Sequence, residues 1–251
     1  MANMVRCIAE LIQQPHGRAY KKIVTQAGDL GYVITRLMAK NYPKHCKATH
    51  FNFAVPQFPG IWTPLLALQS IILPWSTRER EGVKQSKLYL KELSGYYYEQ
   101  STRPQTLGYA LADSPVGLLA WIYEKLHDWT DDYQWTDDEI LTWISIYYFS
   151  NAGPAASVRI YYEAFHDKSI NAVSKWAPDV KIGLSYFPKE LVSLPRRWHY
   201  ALGPVVFERE HDSGGHFASW ERPEALAGDM NSMFGRNGPC HGIIRGRSGF
   251  A

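Results

Sequence analysis

The stretch Ile23-Val24-Thr25-Gln26-Ala27-Gly28-Asp29-Leu30-Gly31-Tyr32-Val33-Ile34 anchors the reading of this chain. A short β-branched run stops at a small-residue corner, and Val33, Ile34, Leu37 and Met38 then recur at the spacing of one helix face. Strand, tight turn and helix are the expected order. A side chain held at such a corner is pushed clear of the sheet, and small neighbours are needed because the backbone is crowded. A helix N-terminus aimed at the same place favours negative charge there. With serine at its centre the turn would suggest an esterase. Asp29 instead suggests attack by a carboxylate on a saturated carbon, giving an alkyl-enzyme ester. The plain alternative is that Asp29 caps the helix from Leu30 onward.

Working outward, Met4 to Gln14 fits a short helix broken by Pro15 and Gly17, and Ala48 to Val55 fits a strand stopped by Pro56 and Pro59. From Ile61 to about Asp167 the pattern is helical and rich in aromatic residues. Thr136-Asp137-Asp138-Glu139 forms a capping box, and Ser114-Pro115 opens another helix, with Asp113 read as a local cap. Strand signals return at Val180 to Phe187 and Pro204 to Phe207, and Arg222-Pro223-Glu224 starts a last helix. The expected fold is an α/β core interrupted by an all-α cap. A core segment over residues 1–55 would be followed by a helical cap at 56–168, a second core segment at 169–234 and a flexible tail at 235–251, whose five glycines suggest mobility.

Composition narrows the alternatives. With 251 residues, 45% apolar and 20% charged, the chain is ordinary globular material, neither disordered nor fibrous. The mainly apolar stretch Ile61 to Trp75 contains Pro64 and Pro74 and is shorter than the roughly 20 residues of a spanning helix. No membrane segment and no secretory signal are expected. Cys7, Cys46 and Cys240 are odd in number and form no C-x-x-C pair, which argues against a disulfide framework or a zinc site and for a reducing, cytoplasmic location. The net charge of +3 comes from Arg236, Arg245 and Arg247 near the C-terminus, leaving a neutral body with no footprint for nucleic acid.

The second informative segment is His211-Asp212-Ser213-Gly214-Gly215-His216-Phe217, which follows an expected strand and leads into a helix. His216, on a glycine-flexed loop at a strand end, could reach a neighbouring loop and act as a base. Gln26 to Gly31, Gln100-Ser101-Thr102-Arg103-Pro104-Gln105-Thr106-Leu107-Gly108-Tyr109-Ala110-Leu111, Asp113-Ser114-Pro115-Val116-Gly117-Leu118, Phe187-Pro188-Lys189-Glu190 and Gly214-Gly215-His216-Phe217 occur in that order. Together, across roughly residues 18 to 230, they resemble the microsomal-type epoxide hydrolases of the α/β-hydrolase superfamily. The resemblance implies that Asp29 attacks an epoxide carbon while Tyr96 and Tyr161 donate hydrogen bonds to the epoxide oxygen. It further implies that His216 activates water to break the ester, Glu190 orients the imidazole, and the Leu30 backbone N–H serves the oxyanion. No metal or organic cofactor is implied, and the implied substrate is a small lipophilic epoxide. From the residues alone, Tyr97 and Tyr98 compete with Tyr96, and Asp179, Glu208 and Glu210 compete with Glu190.

The chain departs from the family pattern in two ways. Family members carry a long N-terminal half with a His-Gly-x-Pro loop before the nucleophile turn, whereas 28 residues precede Asp29 here, and His16-Gly17 and His241-Gly242 both lack the proline. The expectation is a C-terminal portion whose first strand is left as a sheet edge, open to aggregation or homo-oligomerisation. A truncated relic that binds a partner is therefore the rival from another class. The other departure is Leu30, where family members commonly have Trp. A haloalkane dehalogenase, which would use such a Trp to hold halide, is thereby less favoured.

Overall fold

The structure, a computed structural model, describes residues 22–60, 63–244 and 246. The expected helix over Met4 to Gln14 lies outside the described residues. Four strands form one parallel sheet in the order β1 (Ile23–Ala27), β2 (Cys46–Phe51), β3 (Lys181–Tyr186) and β4 (Val205–Glu210). Strands covered on both faces need not alternate in polarity, and β2 is buried at five of its six positions. Among the described residues β1 and β4 are the edge strands.

Helix α1 (Asp29–Asn41) crosses from β1 to β2, with Tyr32, Leu37 and Met38 packed in a core that also holds Phe51, Ile182, Leu184 and Leu202. The same helix buries Arg36 completely. Its guanidinium donates to the carbonyls of Val173, Lys175 and Leu202 at 2.9, 2.7 and 2.9 Å, stitching α1 to the segment before β3 and to the turn before β4.

All of the chain between β2 and residue 166 is without strand among the described residues. It contains α2 (Pro64–Ile72), α3 (Thr77–Leu88), α4 (Gly95–Thr102), α5 (Pro104–Asp113), α6 (Pro115–Asp128), α7 (Asp137–Tyr148) and α8 (Pro154–His166). Leu111, Leu118, Ile144 and Val158 of α5 to α8 form its buried centre. The Thr136–Glu139 capping box is present, with Thr136 Oγ1 accepting from Glu139 N and Glu139 accepting from Thr136 N. Ser114, not Asp113, caps α6: Ser114 Oγ accepts from Gly117 N at 3.0 Å, and Asp113 is the last residue of α5.

After β3 and β4 come the short helices α9 (Arg196–His199) and α10 (Ala218–Glu221), and then α11 (Pro223–Phe234). The stretch read as a flexible tail begins differently from expectation, because it folds back on the end of α11. Cys240 N donates to Met233 O at 2.9 Å, Lys181 Nζ donates to Pro239 O at 3.0 Å, and Cys240 is buried beside Ala48 and Met233. A Cβ on Gly238 would lie 2.4 Å from Ser232 O, so this glycine serves close approach rather than mobility.

Candidate active site

The corner after β1 has the geometry its sequence implies. Gly28 is extended, and Asp29 adopts φ 45°, a left-handed conformation that costs a non-glycine residue about 1–2 kcal/mol. Space is tight: a Cβ on Gly28 would lie 2.9 Å from Asn52 Nδ2, and one on Gly31 would lie 3.3 Å from the Ala27 Cβ. The capping alternative for Asp29 does not hold, since Gly28 occupies the cap position and no side chain bonds there. Leu30 follows in the first helical turn, where backbone N–H groups lack intrahelical acceptors.

The loop after β4 brings His216 to this corner. His216 Nε2 lies 3.7 Å from Asp29 Oδ2, and His216 Nδ1 lies 2.6 Å from Glu190 Oε1. Glu190 also accepts from Leu191 N at 2.7 Å and is buried. The rival carboxylates are occupied or remote: Glu208 accepts from Tyr186 and Tyr200, Glu210 pairs with Arg196, and Asp179 is exposed. Burial by itself would push the His216 imidazole down, yet the carboxylates of Glu190 and Asp29 more than reverse this and raise it to about 10. The ring is therefore charged at neutral pH.

Three phenols, Tyr89, Tyr96 and Tyr161, lie close enough to feel the charge of Asp29. Tyr96 packs on Trp129 at 5.0 Å and on Tyr161 at 5.9 Å between ring centroids, and Trp129 packs edge-on against His216 at 5.3 Å. Tyr97 also touches Tyr161 but turns toward Phe165, and Tyr98 is 60% exposed. Burial raises both Tyr96 and Tyr161 well above the usual phenol value, and the charge of Asp29 adds to it. Both hydroxyls thus keep their protons and are hydrogen-bond donors at neutral pH.

Comparison with known proteins gives the arrangement a lineage. No protein-family model matches the chain. A Stigmatella aurantiaca (strain DW4/3-1) protein, provisionally named an epoxide hydrolase, is 35% identical over 243 residues, covering 93% of this chain and 51% of that protein. Epoxide hydrolase 1 of Sus scrofa is 31% identical over 236 residues, covering 86% of this chain and 51% of its own length. The crystal structure of the juvenile hormone epoxide hydrolase of Bombyx mori superposes with a TM-score of 0.78 at 27% identity, covering 91% of this chain and 57% of that one. The chain is a relative of the epoxide hydrolases. It has their α/β-hydrolase fold with an inserted helical cap, and it spans about half the length of the curated relatives it matches.

The site also holds residues that sequence reasoning missed. Glu221 is buried and accepts from Gly215 N, from Phe217 N at 3.1 Å and from Asp131 N at 2.7 Å. Asp131 in turn accepts from Gly214 N at 2.8 Å, and His216 N donates to Trp129 O at 2.8 Å. The loop after α6 and the histidine loop are thereby clasped on both sides of the imidazole. Gly215 is required by this closeness, since a Cβ there would lie 2.6 Å from Trp129 O. The start of the same loop is held by His211, whose Nε2 lies 2.6 Å from the buried Asp229.

The third phenol, Tyr89, places its hydroxyl 2.6 Å from that of Tyr96. Tyr89 and Leu191 also line a cavity of about 700 Å³ whose wall does not include Asp29 or His216. Among the described residues no cluster of three or more His, Cys, Asp or Glu could hold a metal ion, and no helix is long and apolar enough to cross a membrane.

Proposed function

We propose that the chain carries the reacting groups of an epoxide hydrolase, opening an epoxide to a vicinal diol through an ester on Asp29. One observation supports this above the others: a single buried imidazole stands between Asp29 at 3.7 Å and Glu190 at 2.6 Å. The Asp29 carboxylate attacks a ring carbon, an ester C–O bond forms, and the epoxide C–O bond breaks with its electron pair going to oxygen. Tyr96 and Tyr161 donate to that oxygen. Esterification then abolishes the charge of Asp29, which is one of the two carboxylates that raise His216. The ring gives up its proton more readily, becomes a base, and draws a proton from water as the water oxygen bonds to the ester carbonyl carbon. The bond from that carbon to the diol oxygen then breaks, the carboxyl proton going to the diol oxygen and leaving Asp29 a carboxylate. Glu190 holds the ring by its other nitrogen, and the Leu30 N–H stabilises the oxyanion. The proton that His216 first releases balances the one taken by the alkoxide.

The aromatic shell of Trp129, Phe53 and Phe217 around His216 favours a lipophilic epoxide. Intact-mass measurement after mixing the chain with styrene oxide tests the reading. An adduct mapped to Asp29, accumulating further in His216→Gln, is the expected result. Folded protein with no adduct on Asp29 would refute it.

A further inference from the structure

Tyr89 supplies a hydroxyl for which the reaction above has no use. It begins a π-helical turn, Tyr89–Leu93, between α3 and α4, and a widened turn of this kind rotates side chains away from α-helical register. The residue is 8% exposed, with its ring 6.5 Å from that of Trp129 and packed with Leu191. Its hydroxyl meets Tyr96 Oη at 2.6 Å, and the residue also lines the cavity of about 700 Å³. Tyr89 thus bridges the phenol that faces the reacting groups and a space large enough for water.

Resting on the epoxide-opening reading, we propose that Tyr89 is a proton-relay residue acting through Tyr96. As ring opening leaves an alkoxide, Tyr96 Oη–H gives it a proton, the Tyr89 hydroxyl proton moves to Tyr96 Oη, and water in the cavity reprotonates Tyr89. The hydroxide so formed is neutralised by the proton that His216 releases, so epoxide plus water gives diol with no other reactant. The direction of transfer agrees with the environment of the two phenols. Burial raises both; Tyr89 is held at about 12, while Tyr96 is driven further up by its phenol neighbours and by Asp29. Negative charge therefore rests more cheaply on Tyr89, and Tyr96 is returned to its donor form without having to hold that charge.

The test is single-turnover alkylation of the full chain by styrene oxide, followed by quenching and intact mass. Tyr89→Phe keeps the ring and its packing. It should slow adduct formation on Asp29 about tenfold, with the half-saturating epoxide concentration unchanged. In a Tyr96→Phe background the same substitution should have no further effect, because the relay has lost the group it serves. 3-Fluorotyrosine at position 89 keeps the hydroxyl while lowering its pKa, and should shift the pH profile of alkylation downward. Wild-type rates in Tyr89→Phe, or an equal slowing with and without Tyr96, would overturn the relay while leaving the Asp29 chemistry intact. Absence of any adduct on Asp29 in wild-type protein would overturn both.

Discussion

Glu190 Oε1 and His216 Nδ1 lie 2.6 Å apart beneath a shell of aromatic rings, and the far nitrogen of the same imidazole faces Asp29. One buried cation thus sits between a buried carboxylate, Glu190, and a half-exposed one, Asp29. The His216 pKa in the folded chain, about 10, lies above its ordinary value of 6.5. A raised base stabilises the fold fully below its unfolded pKa and loses that contribution as pH climbs through its folded pKa. Unfolding free energy measured in urea should therefore fall between pH 7 and pH 10, by roughly 3 kcal/mol at about 1.4 kcal/mol for each pH unit. His216→Gln should flatten that slope, and an identical slope in both proteins would contradict the charge assignment.

Asp29→Asn imitates the electrostatics of the proposed ester, because it removes the charge and keeps the shape. Asparagine also tolerates the left-handed φ of 45° at this corner, so the elbow should persist. Glu190 is then the remaining carboxylate against the ring, and the His216 pKa should drop below about 10. Titration of the imidazole resonances by NMR measures the change. An unchanged pKa would mean that Asp29 does not control the ring, and that esterification could not free it as a base.

The histidine loop should depend on Glu221 more than on any surface charge. Three backbone N–H groups end on its carboxylate, two from the histidine loop and one from Asp131. Glu221→Ala strands them, at about 1–3 kcal/mol for each buried donor left without a partner. Loss of stability should be accompanied by faster amide exchange at Gly215, Phe217 and Asp131 together. Exchange confined to one of the two loops would show that they are not clasped.

The corner at Asp29 was legible in the sequence because it is local: a β-branched run, two glycines and an acid lie within nine residues. Strands and capped helices were legible for the same reason. Tyr89 and Glu221 were not, because neither contact follows from a local residue pattern. Tyr89 reaches Tyr96 through a π-helical turn that no residue pattern announces, and Glu221 reaches Asp131 across 90 positions. Gly238 misled in the opposite direction, since composition cannot separate a glycine needed for close packing from one in a mobile tail.

Arg36 makes the same point and can be tested. In sequence it is a polar position on a helix whose apolar face is clear, yet it is fully buried and its three carbonyl partners lie 137 to 166 positions away. Desolvation lowers its pKa from the ordinary arginine value, the cost of burying a guanidinium that the three carbonyls offset. Arg36→Met fills the stem's volume but leaves those carbonyls without their donor. Its unfolding free energy should be lower by about 3 kcal/mol or more. Arg36→Lys should recover only part of this, because one ammonium cannot span the fork that reaches Val173, Lys175 and Leu202 together. Equal stability of Arg36→Met and wild type in urea would show that packing of the stem, and not the three hydrogen bonds, holds α1 against the segment before β3.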